Sequence, residues 1–369
     1  MSERTFRIFV INPGSTSTKL ALFENSEKVL ETKVFHDADI LCRFPTVNHQ
    51  LEYRLQVIRD FLRDNAVDLK GIDAIVGRGG SCAPVASGVY EVNEKMVEDM
   101  RLPRGGMDHP SNLGAQLAQE LQKEYGGRTF MVDPTCVDEL DDLARMTGID
   151  GMTRHLHIHA LNMRGVAMQH AKHVLHKDYK DCNLIVAHID GGMSISAHHN
   201  GRMIDTTDGG GGEGPYTPTR IGTVSAAALV DYCRGRDLDE VKRLTIRTGG
   251  FVSYFGTSNS DTVHEMMEQG NHKATLVWNG MIYQICKCIG SMSAVLEGKV
   301  DGILLTGGLL RFKDIAETIE RRCGWIAPIT LYPDEVEHEA MAAGALRVLR
   351  GEEEPKIYTG EPVWKGFED

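Results

Sequence analysis

Three histidines alternate along Arg154-His155-Leu156-His157-Ile158-His159, and in an extended chain that spacing puts three imidazoles on one face. Metal binding is one chemistry open to such a face. No later set of Asp and His at a strand end completes a metal site, so packing or supporting roles remain open for His155 and His157. Glycine-rich turns are the second chemical feature: NPGSTST (12–18), DGGMS (190–194) and TGG (306–308) each follow an apolar run. Such a turn lets backbone N–H groups close on an anion with no Cβ between them. Asn12, Ser15, Ser17 and Lys19 are the polar residues of the first, with Asn12 and Ser15 expected to face phosphate; the longer loop TTDGGGGEGPYTPTR ends on Arg220. Arg78 stands in VGRGG, where two glycines are expected to leave room for a substrate beside its guanidinium. Asp133 closes the short run TFMV, and a carboxylate at the end of a parallel strand faces the crevice of an open α/β sheet. Together these residues suit phosphate chemistry. No GxxxxGK[ST] occurs and no GxGxxG opens a helix, which disfavours the P-loop and dinucleotide routes.

Elements must hold these residues in place. The run Phe6–Ile11, the glycine turn and KLALFE read as strand, turn, strand. Helical spacing over 50–65, strand 72–76, helix 111–126, strand 129–132 and helix 160–178 follow. Then 184–204 repeats the opening, and helices at 222–233, 273–297, 311–323 and 337–350 surround a strand within 301–309. The alternation predicts an α/β fold. Setting Asn12 against Asp190 gives an offset near half the chain, so the expectation is two duplicated α/β domains with both hairpin turns at a nucleotide cleft. The expected boundaries are 1–150, joined by a C-terminal helix over 340–369, and 151–339.

The length of 369 residues also favours two domains. Lys and Arg number 40 against 52 Asp and Glu, a net charge of −12 that argues against nucleic-acid or anionic-membrane partners, so bound anions need a local site. Glycine, at 39 residues, exceeds the average of roughly 7%. Eight cysteines show no CxxC; Cys286 and Cys288 are the one pair close in sequence, within a predicted helix where they face apart. No signal peptide or long apolar run appears. A reduced, soluble, cytoplasmic protein is expected.

VINPGSTSTKLALFE, GRGG, MDHPSNL, VDPT, RHLHIHALN, AHIDGG and TPTRIGT resemble, in order, the motifs of the acetate and butyrate kinases, within the actin, heat-shock-70 and sugar-kinase superfamily. Pro13, HIDGG, the ending EHEAMAAGALRVL and the short chain resemble the butyrate kinase branch most. The resemblance implies two duplicated ribonuclease-H-like (actin-like ATPase) domains around a nucleotide cleft, and reversible phosphoryl transfer from ATP to a carboxylate, with Mg²⁺. It puts Arg78 at the carboxylate and the migrating phosphoryl group, Arg220 on the phosphoryl oxygens, His159 at the transition state and His109 on the substrate side. Asp133 would orient the site and assist magnesium. Glu335, Glu337 and Glu339 all offer a second carboxylate, and spacing to the alanines that follow favours Glu337. His188, Gly191 and Gly192 would line the second phosphate turn, and Gly307 and Gly308 would flank adenosine. Arg154 has a structural role.

Acetate kinases close the acyl pocket with an aromatic residue where this chain has Ile158, so the smaller side chain implies longer acids, butyrate or branched relatives. Acetate or propionate is the alternative within the family; a nucleotide-gated actin-like or chaperone-like ATPase is the alternative outside it. The resemblance implies a homo-oligomer, a dimer or higher.

Overall fold

The structure is a computed structural model and describes residues 4–102 and 108–367. Met107 of the MDHPSNL motif and the last two residues of the range 340–369 lie outside the described residues. The chain forms two compact units, one of Met1–Asp138 with Val336–Asp369, the other of Glu139–Glu335.

The strands are β1 (Arg7–Pro13), β2 (Ser17–Glu24), β3 (Glu27–Phe35), β4 (Ala74–Arg78), β5 (Val89–Glu91), β6 (Arg128–Val132), β7 (Leu184–Ile189), β8 (Met193–His199), β9 (Arg202–Thr206), β10 (Gly302–Thr306), β11 (Ile329–Tyr332) and β12 (Lys356–Ile357). The first unit's sheet runs β12-β5-β6-β4-β1-β2-β3 and the second's β11-β10-β7-β8-β9. In each, an antiparallel three-stranded meander opens the sheet and two strands then extend it in parallel: β4 on β1 and β6 on β4, β10 on β7 and β11 on β10. The duplication is therefore one of topology.

Register corrects the alignment. Matching the last pair of each hairpin, Pro13–Thr18 and Ile189–Met193, puts His188 rather than Asp190 at the address of Asn12. Ser194 then takes the address of Lys19. On the parallel side, Arg78 lies one residue beyond the pair Ile11–Gly77, where the second sheet has Thr306 paired with His188.

β1, β4, β7 and β10 are buried along nearly their whole length, which explains their unbroken apolar runs. Helix Leu51–Asp64 lays Leu55, Ile58 and Leu62 against Phe9, Ile11 and Leu20, each burial contributing roughly 1.5–3 kcal/mol. In the second unit, helix His272–Val295 starts where Asn271 accepts the Ala274 N–H, and its Trp278 is fully buried beside Phe251. Helix Glu337–Leu349 packs on β1, β4 and β6. It stops well short of 369, because Gly351 takes φ +72° and Pro355 restricts the residue before it. The helix expected over 160–178 is α-helical for Ala160–His170 and ends in a π turn at Ala171–Leu175; that expected over 222–233 begins at Ala226. Among the described residues, no helix is long and apolar enough to cross a membrane.

Candidate active site

In the first unit, the C-terminal ends of β1 and β4 and the start of helix Glu337–Leu349 bring together residues far apart in sequence. Glu337 Oε1 accepts from Arg78 Nη2 at 2.9 Å, and Glu337 Oε2 accepts from Asn12 Nδ2 at 2.7 Å. All three are buried. Arg78 Nη1 is also buried, with no hydrogen-bond partner in the structure. One arm of the guanidinium is thus anchored while the other is left over, the arrangement expected of a group waiting for an anion.

The glycines around Arg78 serve a different purpose from the one expected. A Cβ on Gly79 would meet Pro134 Cβ at 2.5 Å, and one on Gly80 would meet Asn112 Oδ1 at 2.1 Å. Their missing side chains make room for the protein itself. Asn112 Oδ1 accepts the Ser81 N–H at 2.8 Å and so ties down the loop after Arg78; sequence reasoning missed this residue because it lies 31 positions away.

Asp133 follows Val132, the partner of Arg78 in the β4–β6 ladder. Its φ of +39° is unusual for a residue with a side chain, and such strain concentrates at functional sites. Its Oδ1 accepts the Gly88 N–H at 2.6 Å. His109 caps the 3₁₀ turn Pro110–Leu113, with Nδ1 accepting the Ser111 N–H at 3.2 Å. Ser15 is exposed at the tip of the first hairpin, Ser17 is buried at the start of β2, and Lys19 is half-buried opposite Asn12. Beneath this hairpin lies Arg54, fully buried, donating to Thr18 Oγ1 at 3.1 Å and to the Ser17 carbonyl at 3.5 Å. Burial pulls its pKa down to about 10.

In the second unit, residues 154–159 belong to no helix or strand, so the three histidines do not share a strand face. His155 is exposed. His157 packs where a Cβ on Gly210 would stand, 2.9 Å from its own Cβ. His159 precedes helix Ala160–His170; its ring stacks on His188 with centroids 4.1 Å apart, and its Nδ1 lies 3.0 Å from Ser194 Oγ. His188 is buried, its Nδ1 3.0 Å from Asn162 Nδ2, which also donates to Thr306 Oγ1 at 3.1 Å. That amide donation makes Nδ1 the acceptor and leaves the proton on Nε2. Ser194, Asn162 and Thr306 lie within the quoted motifs but were not singled out there; Asn162, on helix Ala160–His170, joins the ends of β7 and β10 only after folding. Ile158 is buried. Arg154 is clamped by Asp205 at 2.9 Å, Glu213 at 2.9 Å and the Ala144 and Thr206 carbonyls at 2.6 Å, a structural tie.

Arg220 donates from Nη1 to the Gly209 carbonyl and lies over the second hairpin turn, where a Cβ on Gly192 would come within 2.9 Å of its Cζ. Its Nε is buried without a partner, and burial lowers its pKa. The two oxygens of Asp190 accept the Gly191 N–H at 2.7 Å and the Gly308 N–H at 3.2 Å, tying the hairpin to the loop after β10. Gly307, at φ +110°, packs against the Ile189 carbonyl, so only glycine fits. Beside this junction a pocket of about 310 Å³ is lined by Asp190, Gly191, Thr219, Asn259, Ser260 and Arg311, among others. Among the described residues, the one grouping of three or more potential metal ligands joins His188, Asp190 and Glu335; the alternating histidines do not form one.

Residues 151–348 match the Acetokinase family. Among solved structures, acetate kinase of Porphyromonas gingivalis superposes with a TM-score of 0.74 at 20% identity, over 94% of this chain and 100% of that one. Acetate kinase of Entamoeba histolytica gives 0.72 at 15%, over 94% and 98%. A propionate kinase from Francisella tularensis subsp. tularensis SCHU S4 gives 0.72 at 18%, over 92% and 98%. The two α/β units of one topology therefore have the fold of the acetate kinase structures. The chain belongs to the Acetokinase family, whose members phosphorylate carboxylates with ATP.

Proposed function

We propose that this chain is a butyrate kinase, transferring the γ-phosphoryl group of ATP reversibly to butyrate or a related short or branched acid. The observation that carries the reading is the half-used guanidinium of Arg78, buried, with Nη2 on Glu337 and Nη1 left without a partner. A carboxylate is ionised at neutral pH and needs no general base, so the transfer asks chiefly for positioning and for positive charge on the migrating group. Arg78 is one such charge, and Arg220, with its own unpartnered buried Nε, is another.

His159 hydrogen-bonds the phosphoryl oxygens in the transition state, its orientation set by Ser194 and the stacked His188. The turn at Gly191 and Gly192 holds ATP phosphates, and the adjoining pocket with Gly307 and Gly308 holds adenosine; Asn12, Ser15, Ser17 and Lys19 face phosphate from the first hairpin. Asp133 and Glu337 would hold magnesium with the nucleotide, Glu337 through lone pairs left beside Arg78 and Asn12, and the ion would supply positive charge to the phosphate oxygens. His109 contacts the acid, and Ile158 leaves space for its chain.

A homo-oligomer fits helix Ala226–Cys233, which buries no residue although Val230 is 61% exposed and Tyr232 46%. A cytoplasmic location fits eight free thiols.

Hydroxylamine trapping of the acyl phosphate across C2 to C5 acids tests the reading. The highest kcat/KM is expected at four or five carbons. Acetate as the best acid would replace butyrate by the alternative within the family; no hydroxamate from any acid would overturn the carboxylate kinase itself. Arg78→Ala and Arg220→Ala should abolish trapping with ATP binding retained.

A further inference from the structure

Cys82 and Cys136 lie on the loops that leave β4 and β6, four residues after Arg78 and three after Asp133. Both thiols are buried, and their sulfurs stand 2.8 Å apart. That is under an ångström longer than an S–S bond of about 2.05 Å. The backbone holds them there independently of the sulfurs. Val85 pairs with Val137 in an isolated parallel bridge, the Val85 N–H donates to the Cys136 carbonyl at 3.1 Å, and the Asp138 N–H donates to the Val85 carbonyl at 2.8 Å. On the other side the Ala83 N–H donates to Tyr358 Oη at 3.0 Å, and Tyr358 donates to Asp99 at 2.8 Å. The pair in sequence, Cys286 and Cys288, has no such geometry; folding selects a different pair, 54 residues apart.

We propose that Cys82 and Cys136 are a covalent modification site, a dithiol that a small peroxide converts reversibly to a disulfide tying the Arg78 loop to the Asp133 loop. One thiolate attacks a peroxide oxygen, giving a sulfenic acid and releasing water once the thiol proton is counted. The second sulfur attacks the sulfenic sulfur, forms the S–S bond and expels a second water. Two thiols and one hydrogen peroxide thus give one disulfide and two waters. The neighbouring Cys136 thiol and burial both push the Cys82 thiol up, so the reaction is slow at neutral pH and quickens with base. Burial admits hydrogen peroxide more readily than a bulky disulfide.

The test uses the full chain, reduced, then exposed to excess hydrogen peroxide at mildly alkaline pH, alkylated and mapped by mass spectrometry without reduction. The expected product is a cross-linked peptide pair joining Cys82 to Cys136, two hydrogens lighter than the sum and separated by dithiothreitol. Its thermal midpoint should rise by several degrees relative to the reduced chain. Cys82→Ala and Cys136→Ala should each abolish both changes, and Cys286→Ala should abolish neither. Absence of the cross-link in wild type, or bridging of other cysteines instead, overturns the proposal; this readout needs no assumption about the substrate and no variant that folds. Control of the loops rests on the proposed function: the bridged enzyme should lose on the order of tenfold in acyl hydroxamate formation, recovered with dithiothreitol. Unchanged turnover in fully bridged protein overturns that second clause.

Discussion

Replacing Gly192 by alanine isolates the contribution of Arg220. The added Cβ would stand 2.9 Å from Arg220 Cζ and Nη1 and 3.0 Å from Nη2. Carbon atoms in comfortable contact lie about 3.5–4.0 Å apart, so the guanidinium must retreat by roughly 0.6–1 Å. The atoms that move are the far end of a flexible side chain, and Gly192 is not in a left-handed conformation. Folding should therefore lose less than about 1 kcal/mol. Catalysis is less tolerant: a displacement near 1 Å costs about 100-fold, or about 2.7 kcal/mol of transition-state stabilisation. The expected result of hydroxamate kinetics is a kcat/KM lower by roughly two orders of magnitude, with thermal unfolding nearly unchanged. Gly290→Ala, within helix His272–Val295, is the control, since nothing lies within 4 Å of the Cβ it would gain. Wild-type activity in Gly192→Ala, or an equal loss in Gly290→Ala, would refute the assignment of Arg220.

Glu337→Gln leaves Arg78 buried beside a neutral amide; urea unfolding should show a loss of about 3 kcal/mol, at the low end for a broken buried pair because the amide still offers one acceptor. Ile158→Phe should narrow the acyl pocket and move the kcat/KM maximum toward acetate, the gain per methylene falling from about fourfold (~0.8 kcal/mol) toward none. Burial and then Arg54 hold His36 down to about 4, against about 6.5 when unfolded. The unfolded chain therefore binds more protons between those values, and stability, complete above about pH 6.5, should fall by on the order of 2–3 kcal/mol as pH drops toward 4. The slope should flatten in His36→Gln; an unchanged slope would assign the acid sensitivity elsewhere.

The strands that were legible in sequence are the buried ones. β1, β4, β7 and β10 are continuous apolar runs because helices or loops cover both faces. β3 left little mark: EKVLETKVF is a charged edge strand whose residues alternate between exposed and half-buried, and it exists because β2 offers it a ladder. β5 and β12 are too short to carry a pattern. Motif and position singled out Arg78, Asp133 and Arg220 as expectations, whereas the contact of Glu337 with Asn12 spans 325 residues and depends on the chain's end returning to the first sheet. Where the reading of the glycines around Arg78 failed, the missing quantity was the volume of Pro134 and Asn112, which no local pattern encodes.

The two sheets keep one address at the end of their first strand and fill it with opposite chemistry. In one copy it holds Asn12, Lys19 and Arg78, with two cations; in the other His188, Ser194 and Thr306, an imidazole and two hydroxyls, of which His188 and Thr306 share Asn162 and Ser194 meets His159. The strand order is kept while these three matched positions differ, so copying one set into the other address would give both sheets the same groups only by giving up the Arg78–Glu337 pair in one or the His188–Asn162 bond in the other.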